Sequence, residues 1–372
     1  MLDGLVHIGS RALPAGLVDT GAWDAVRPRF ATVYLENKCH LSCEHCYESE
    51  ATHPKSARLS LRDYERIFDE LATLGVLYLS LTGGEIFLRG DLFDIVALGR
   101  ERRFAVRLYT SGTLIDEARA DRIRDLKVSE VQVSLYSADA ATHDAFVGQV
   151  GAHEKTVRAL GLVRERGVLT VMKTLALDLN IDALEALAEL ARSLGADFRV
   201  DPMLRPRTSG DAAPLRHQAS SKALREQLIA KPHLFTGARE RSAESLCGVD
   251  AVRGPTDALC AVAREVISIA ADGGVLPCAS FPVAGGNVRE HSLVEIWRRS
   301  ALFDQLRRTT FGDMSACQGC AVKAACDPCM AYALIEQGDH RACNAASRHF
   351  ATALYTHAQG QARPARACGC GG

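Results

Sequence analysis

The sequence predicts an α/β fold: a parallel sheet of six βα units curving into a partial (β/α)6 barrel, followed by a smaller cysteine-rich domain. Two observations give the barrel. From Ala31 to Leu204, short β-rich runs alternate with longer amphipathic segments, the mark of repeated βα units. Right-handed crossovers then place all strand C-terminal ends on one rim, where ligands bind in such folds. The second domain follows from the cysteines: three lie between 39 and 46, none between 47 and 246, and ten from 247 onward.

The strands read in order as ATVYLEN (31–37), VLYLSLT (76–82), AVRLYTS (105–111), EVQVSLYS (130–137), TVMKTLAL (170–177) and DFRVDPML (197–204). Between the first two, SLRDYERIFDELATLG (60–75) sets Leu61, Tyr64, Ile67, Phe68, Leu71 and Leu74 on one helical face, with Gly75 as C-terminal cap. Residues 205–221 are polar and turn-rich, a long loop or linker. Beyond them come a helix near 220–230, a hairpin turning at Asp272 and Gly273, and a helix over 292–308. The expected organisation is an N-terminal extension (1–30), the barrel (31–215), a linker helix region (216–245), the cysteine-rich domain (246–350) and a tail (351–372). Open sheet edges are expected around 31–37 or 266–278, where an extended peptide could add as a strand.

Lys and Arg number 44 against 45 Asp and Glu, with no basic block, so no nucleic-acid partner is indicated. The longest apolar stretches fall short of the roughly 20 residues of a membrane span. The N-terminus lacks a basic start followed by an apolar segment, and a cytoplasmic location is expected. Thirteen cysteines are an odd number and cannot all be paired; in a reducing compartment clustered thiols hold metal more often than disulfides.

The loop ENKCHLSCEHCYESE (36–50) spaces Cys39, Cys43 and Cys46 as Cys-x3-Cys-x2-Cys directly after the first strand. On a helix they would form one buried stripe, but the intervening residues are polar and a βα loop is due here. Zinc is the other alternative, and it ordinarily takes a fourth protein ligand, for which His40 and His45 are weak candidates. Three thiolates on a four-iron cluster leave one iron open for chemistry. The spacing resembles the radical S-adenosylmethionine (SAM) superfamily. In that family SAM chelates the open iron, the reduced cluster breaks the sulfonium bond, and the resulting 5'-deoxyadenosyl radical abstracts a substrate hydrogen. The resemblance extends to LTGGEIFLR (81–89), whose Gly83, Gly84 and Glu85 match the motif that receives the methionyl amino group. It further implies that His45 lies beside the adenine, and that Ser111, Ser134 and Lys173 are rim contacts, with plain strand-end hydrogen bonding as the alternative for those three. Asp201, Arg205 and Arg207 stand near the sixth strand's end and are candidates to face the cavity.

Farther on, Cys260 and Cys278 are followed by Cys317-x2-Cys320-x5-Cys326-x2-Cys329 and by Cys343. Taken alone, CQGC and CDPC could form a zinc ribbon or a redox pair. The series resembles the SPASM extension of peptide-modifying radical SAM enzymes, although two residues, not three, separate Cys326 from Cys329. The resemblance implies two auxiliary four-iron clusters, three clusters in all: one on Cys260, Cys278, Cys329 and an upstream Cys247, the other on Cys317, Cys320, Cys326 and Cys343. Cys368 and Cys370 lie in a Gly-rich end and have no assigned role.

These resemblances imply an enzyme that acts on a ribosomally made precursor peptide, with SAM as cofactor and an external donor such as flavodoxin or ferredoxin. About 30 residues precede the first strand, so leader recognition is expected from a separate small protein. The alternatives are a formylglycine maturase, disfavoured because CASF lacks an Asp after Cys278, a modifier of a small cofactor or tetrapyrrole precursor, and a non-catalytic iron–sulfur electron carrier. The carrier has no use for an open iron or for Gly83, Gly84 and Glu85.

Overall fold

The computed structural model describes residues 5–8, 11–14, 16–18, 21–48, 58–235 and 254–361; Cys247, Cys368 and Cys370 lie outside them. Strands β1 (Leu5–Ile8) and β2 (Arg11–Pro14) pair as an antiparallel hairpin that the sequence reading did not anticipate. The six expected strands follow as β3 (Phe30–Glu36), β4 (Tyr78–Gly83), β5 (Ala105–Thr110), β6 (Glu130–Ser134), β7 (Leu169–Leu175) and β8 (Asp197–Asp201), each parallel to the next.

Two more strands join this sheet. β9 (Val266–Ile269) pairs in parallel with β3, from Phe30↔Val266 to Val33↔Ile269, and β10 (Val275–Leu276) turns back antiparallel on it. The spatial order is β10-β9-β3-β4-β5-β6-β7-β8, an open sheet rather than a closed barrel. The expected open edge at 31–37 is therefore corrected: β9 occupies it. The hairpin turns as expected, with Gly273 at φ 93° and the Asp272 carboxylate accepting the Gly274 N–H at 3.0 Å.

Helix α1 (Leu61–Leu74) starts at a capping box in which Ser60 and Asp63 satisfy each other's backbone N–H, and ends on Gly75 at φ 89°. It buries Tyr64, Ile67, Phe68, Leu71 and Leu74; Leu61, in the first turn, is 37% exposed and leaves the expected face. The strand residues beneath it alternate strictly. Val33, Leu35, Leu79, Leu81, Val106, Leu108, Val131 and Val133 point to the helices and form one core with them. Their neighbours on the opposite face are Tyr34, Ser80, Thr82, Arg107, Tyr109, Glu130, Gln132 and Ser134. Parallel sheets ordinarily bury apolar residues on both faces, so a polar inner face is one kept for a ligand.

The expected single helix over 292–308 is two, Leu293–Arg299 and Ala301–Arg308. The N-terminal segment causes the break: Val18 donates its N–H to Arg299 O, and Gly16 O accepts the N–H of Ala301. Ser300, extended at the junction, caps the second helix through its hydroxyl. Among the described residues no helix is long and apolar enough to cross a membrane.

Candidate active site

The segment after β3 forms no helix, which removes the buried-stripe reading of its cysteines. Its path is fixed at both ends. The Glu36 carboxylate accepts the N–H groups of Asn37 and Lys38 at 3.0 and 3.1 Å, and Arg58 pairs with its other oxygen at 2.7 Å. Further along, Ser42 and Glu44 donate their N–H groups to Val147 O and Phe146 O, at the end of the helix Ala140–Val147. The loop thus hangs over the strand ends as a brace between β3 and that helix.

Burial raises the thiols of Cys39 and Cys46 and pushes Cys43 up to about 12, where the neighbouring Cys46 and Cys39 add to the effect. Three sulfurs that disfavour one another's negative charge fit a cationic metal centre, which turns each into a thiolate. Among the described residues no three Cys, His, Asp or Glu side chains converge on a single point. A four-iron cluster takes each thiolate on a different iron and spaces them farther apart.

Gly83 and Gly84 are needed for an unexpected reason. The close approach is to the cysteine loop itself: a Cβ on Gly83 would sit 2.2 Å from Glu36 O, and one on Gly84 2.3 Å from Lys38 O. Across this contact Gly84 N–H donates to Glu36 O at 2.7 Å and Glu85 N–H to Lys38 O at 2.9 Å. The side chain of Glu85 turns inward and is 0% exposed. One oxygen accepts from Thr110 Oγ1 (2.7 Å) and Phe87 N–H (3.2 Å), the other from the Ser111 N–H (2.9 Å) and hydroxyl (2.6 Å). Four donors fill the positions its two oxygens offer. Through these bonds Glu85 braces the rim from within. A chain of hydroxyls continues from Ser111 Oγ to Thr113 Oγ1 (2.9 Å) and on to His40 Nε2 (2.7 Å), back to the cysteine loop.

His45 is 9% exposed between two rings, stacked on Phe146 (5.1 Å) and tilted against Tyr136 (4.5 Å). Burial lowers it to about 4, and its Nδ1 has no partner. Ser134 and Lys173 face each other across β6 and β7, and Lys173 Nζ lies 4.0 Å from Asp201.

The remaining cysteines sort into two groups. Burial pushes Cys278 up to about 12, with Cys329 and Cys260 close enough to add to it, and Cys329 in turn feels Cys260. Separately, Cys317 is raised by burial and by Cys343 and Cys320. Cys326 ends the short 3-10 turn Lys323–Ala325, and Cys329 opens the helix Met330–Gln337. A cavity of about 170 Å³ lies between the cysteine loop and the first group, lined by Tyr34, Asn37, Glu48, Arg205, Ser280 and Phe281 among others.

The family model of the radical SAM superfamily matches residues 33–191, and that of SPASM, an iron–sulfur cluster-binding domain, matches 260–321. The chain is a radical SAM enzyme with a SPASM domain. Its relatives include the AdoMet-dependent heme synthase of Methanosarcina barkeri, 28% identical over 84% of this chain and 94% of that protein. The PqqA peptide cyclase of Granulibacter bethesdensis is 27% identical over 74% of this chain and 75% of its own. Among solved structures, Streptococcus suis SuiB bound to S-adenosylmethionine shares the fold at TM-score 0.69 and 17% identity, covering 87% of this chain and 78% of SuiB. Membership implies iron–sulfur clusters and SAM, and it sets the electron-carrier alternative aside.

Within this radical SAM enzyme, sequence reasoning missed Thr110, Thr113 and the polar inner face. The signal was present as period-two alternation in the strands, for example Glu130, Gln132 and Ser134. Arg205 was noted only by its place in the chain. The structure seats it 9% exposed, with its guanidinium 3.3 Å from the centre of the Tyr47 ring. Arg207, by contrast, is spent on Asp211 at 2.6 Å and on Cys46 O at 3.4 Å.

Proposed function

We propose that this enzyme cleaves SAM reductively and uses the product radical to modify a side chain of a ribosomally made peptide, with two auxiliary clusters assisting the oxidation. The observation that carries the reading is the position of the cavity. One wall is the end of the cysteine loop, Glu48 with Arg205 stacked on Tyr47; the other is Ala279–Ala284, directly after Cys278. Tyr34 ties the walls together by donating its hydroxyl to Ala279 O at 2.8 Å.

Cys39, Cys43 and Cys46 would hold the SAM-binding cluster. Gly83, Gly84 and Glu85 would shape the rim for SAM, with Ser111, Ser134, Lys173 and His45 around it. Cys260, Cys278 and Cys329, with Cys247, would hold the first auxiliary cluster; Cys317, Cys320, Cys326 and Cys343 would hold the second. When bound, these groups supply a 5'-deoxyadenosyl radical and a nearby electron acceptor. The chain's own work is positional. The cavity holds the substrate between two redox centres, and the Glu85 network keeps the rim rigid so that the reacting atoms stay in register. A flavodoxin or ferredoxin would supply the electron, and a separate leader-binding protein would present the peptide.

A second reading, modification of a tetrapyrrole precursor, is supported by the similarity to a heme synthase along 94% of that relative's length. The first test is anaerobic incubation of the reconstituted protein with SAM and dithionite. The expected products are 5'-deoxyadenosine and methionine in equal amounts. Intact clusters without either product would reject the proposal.

A further inference from the structure

Arg205 follows β8 and is buried to all but 9% of its surface, yet it makes no hydrogen bond or ion pair with any described residue. Its contact is the face of Tyr47, and it borders the cavity. Arg89, by comparison, finds its partners within the chain, and Arg307, which leaves two nitrogens without a partner against Trp297, does not border the cavity. Arg89 donates to Leu35 O at 2.9 Å and Leu59 O at 3.0 Å, and closes a paired contact with Asp91 at 2.7 and 2.8 Å. A buried charge is costly unless it is paired; among the described residues Glu48 is the carboxylate that acts on Arg205, without a hydrogen bond between them, so the N–H groups of Arg205 remain open to an anion that enters the cavity.

We propose that Arg205 anchors a carboxylate of the substrate, holding it between the cysteine loop and the Cys278 group. This deepens the proposed function and rests on it. Guanidinium offers two parallel N–H groups that match a carboxylate, and stacking on Tyr47 fixes the plane of that fork. The space fits the assignment. About 170 Å³ is close to the 150 Å³ that takes one benzene-sized group, enough for a single acid-bearing arm. Glu48 and Asp272 also border the cavity and disfavour a second carboxylate. The position bears on the chemistry: Tyr47, on which Arg205 stacks, adjoins Cys46, and Ala279 of the cavity wall adjoins Cys278, so an arm held at Arg205 would lie beside both cysteine segments. The shared chemistry is an acid on a short alkyl arm, which a glutamate side chain or a tetrapyrrole propionate supplies equally.

The test is equilibrium binding to the reconstituted holoenzyme with two probe pairs. One is a capped alanine tripeptide with glutamate or glutamine in the middle; the other is mesoporphyrin IX and its diamide. The expected result is that wild type prefers the acid in at least one pair by tenfold or more, and that pair identifies the source. Arg205→Met should reduce the preference to below twofold. Arg205→Lys keeps the charge but not the fork, and should lose most of the preference while retaining the wild-type iron content, which separates loss of the anchor from loss of the fold. Equal binding of acid and neutral probes by wild type, including no binding of any, overturns the assignment, as does a preference that survives in Arg205→Met. The same wild-type preparation is assayed for 5'-deoxyadenosine. SAM cleavage without acid preference overturns the Arg205 assignment alone, whereas absence of SAM cleavage overturns the proposed function itself.

Discussion

Ser111 gives both its backbone N–H and its hydroxyl to a single oxygen of Glu85, at 2.9 and 2.6 Å. With Thr110 and Phe87 on the other oxygen, the carboxylate ties β4 to β5 at the rim. Glu85→Gln keeps the shape but turns an amide NH2 toward groups that are themselves donors. A buried donor left without an acceptor costs about 1–3 kcal/mol. The variant is expected to lose about 2 kcal/mol of stability in denaturant unfolding and to bind SAM at least tenfold more weakly. Unchanged stability would mean that the four bonds contribute nothing net.

Gly84 makes a sharper prediction, because its neighbour is backbone. A Cβ there would lie 2.3 Å from Lys38 O and 2.6 Å from Lys38 C, so the start of the cysteine loop must move. Gly84→Ala is expected to lose the iron of that loop, about four atoms per chain, with the C-terminal iron retained. Gly90→Ala is the control, since a Cβ at Gly90 meets nothing within 4 Å. Iron analysis of both variants checks the pair.

What the sequence disclosed and what it withheld divide by distance along the chain. Helix α1 was legible because Ser60, Asp63 and Gly75 are local signals, and the cysteine loop because its three thiols lie within eight positions. The β9–β3 pairing was not, because Val266 and Phe30 are far apart in the chain and are neighbours only in the fold. At the break, the Ser300 cap is a local sign, but the contacts of Gly16 and Val18 with Ala301 and Arg299 come from the other end of the chain and are not. At the site, the sequence named Glu85 and Ser111 separately, and only the fold turns Glu85 inward onto Ser111. Tyr47 and Arg205 stack through tertiary contact alone, and spacing could not have paired them.

His143 gives the protein a pH dependence of known sign. Its Nδ1 accepts the Tyr136 N–H at 3.2 Å, which requires the neutral ring, and burial with His153 nearby lowers it to about 4 against the opposing pull of Asp144. In the unfolded chain the ring titrates near 6.5. Between these values the unfolded state binds more protons, so the contribution is complete above about 6.5 and is lost as pH falls toward 4. Wild type is expected to lose on the order of 2 kcal/mol more than His143→Gln between pH 7 and pH 4. Parallel stability curves for the two proteins would refute it.

The two C-terminal cysteine groups should behave as independent units. Cys278 is raised by Cys329 and Cys260, and Cys317 by Cys343 and Cys320, each thiol by members of its own group. The double variant Cys278→Ala/Cys329→Ala should therefore lose about four irons, Cys317→Ala/Cys343→Ala another four, and Cys39→Ala/Cys43→Ala/Cys46→Ala a third set, from a wild type holding about twelve. Iron and sulfide analysis with electron paramagnetic resonance reads each loss. The arrangement also predicts which losses silence SAM cleavage. Removing the loop thiols should abolish 5'-deoxyadenosine formation, because their loop is the one bonded to Gly84 and Glu85 at the rim. Variants of the second group should still form it while turnover of the substrate fails. If any double variant lost all its iron, the three centres would be parts of one cooperative unit, and the division of labour drawn from their positions would have to be abandoned.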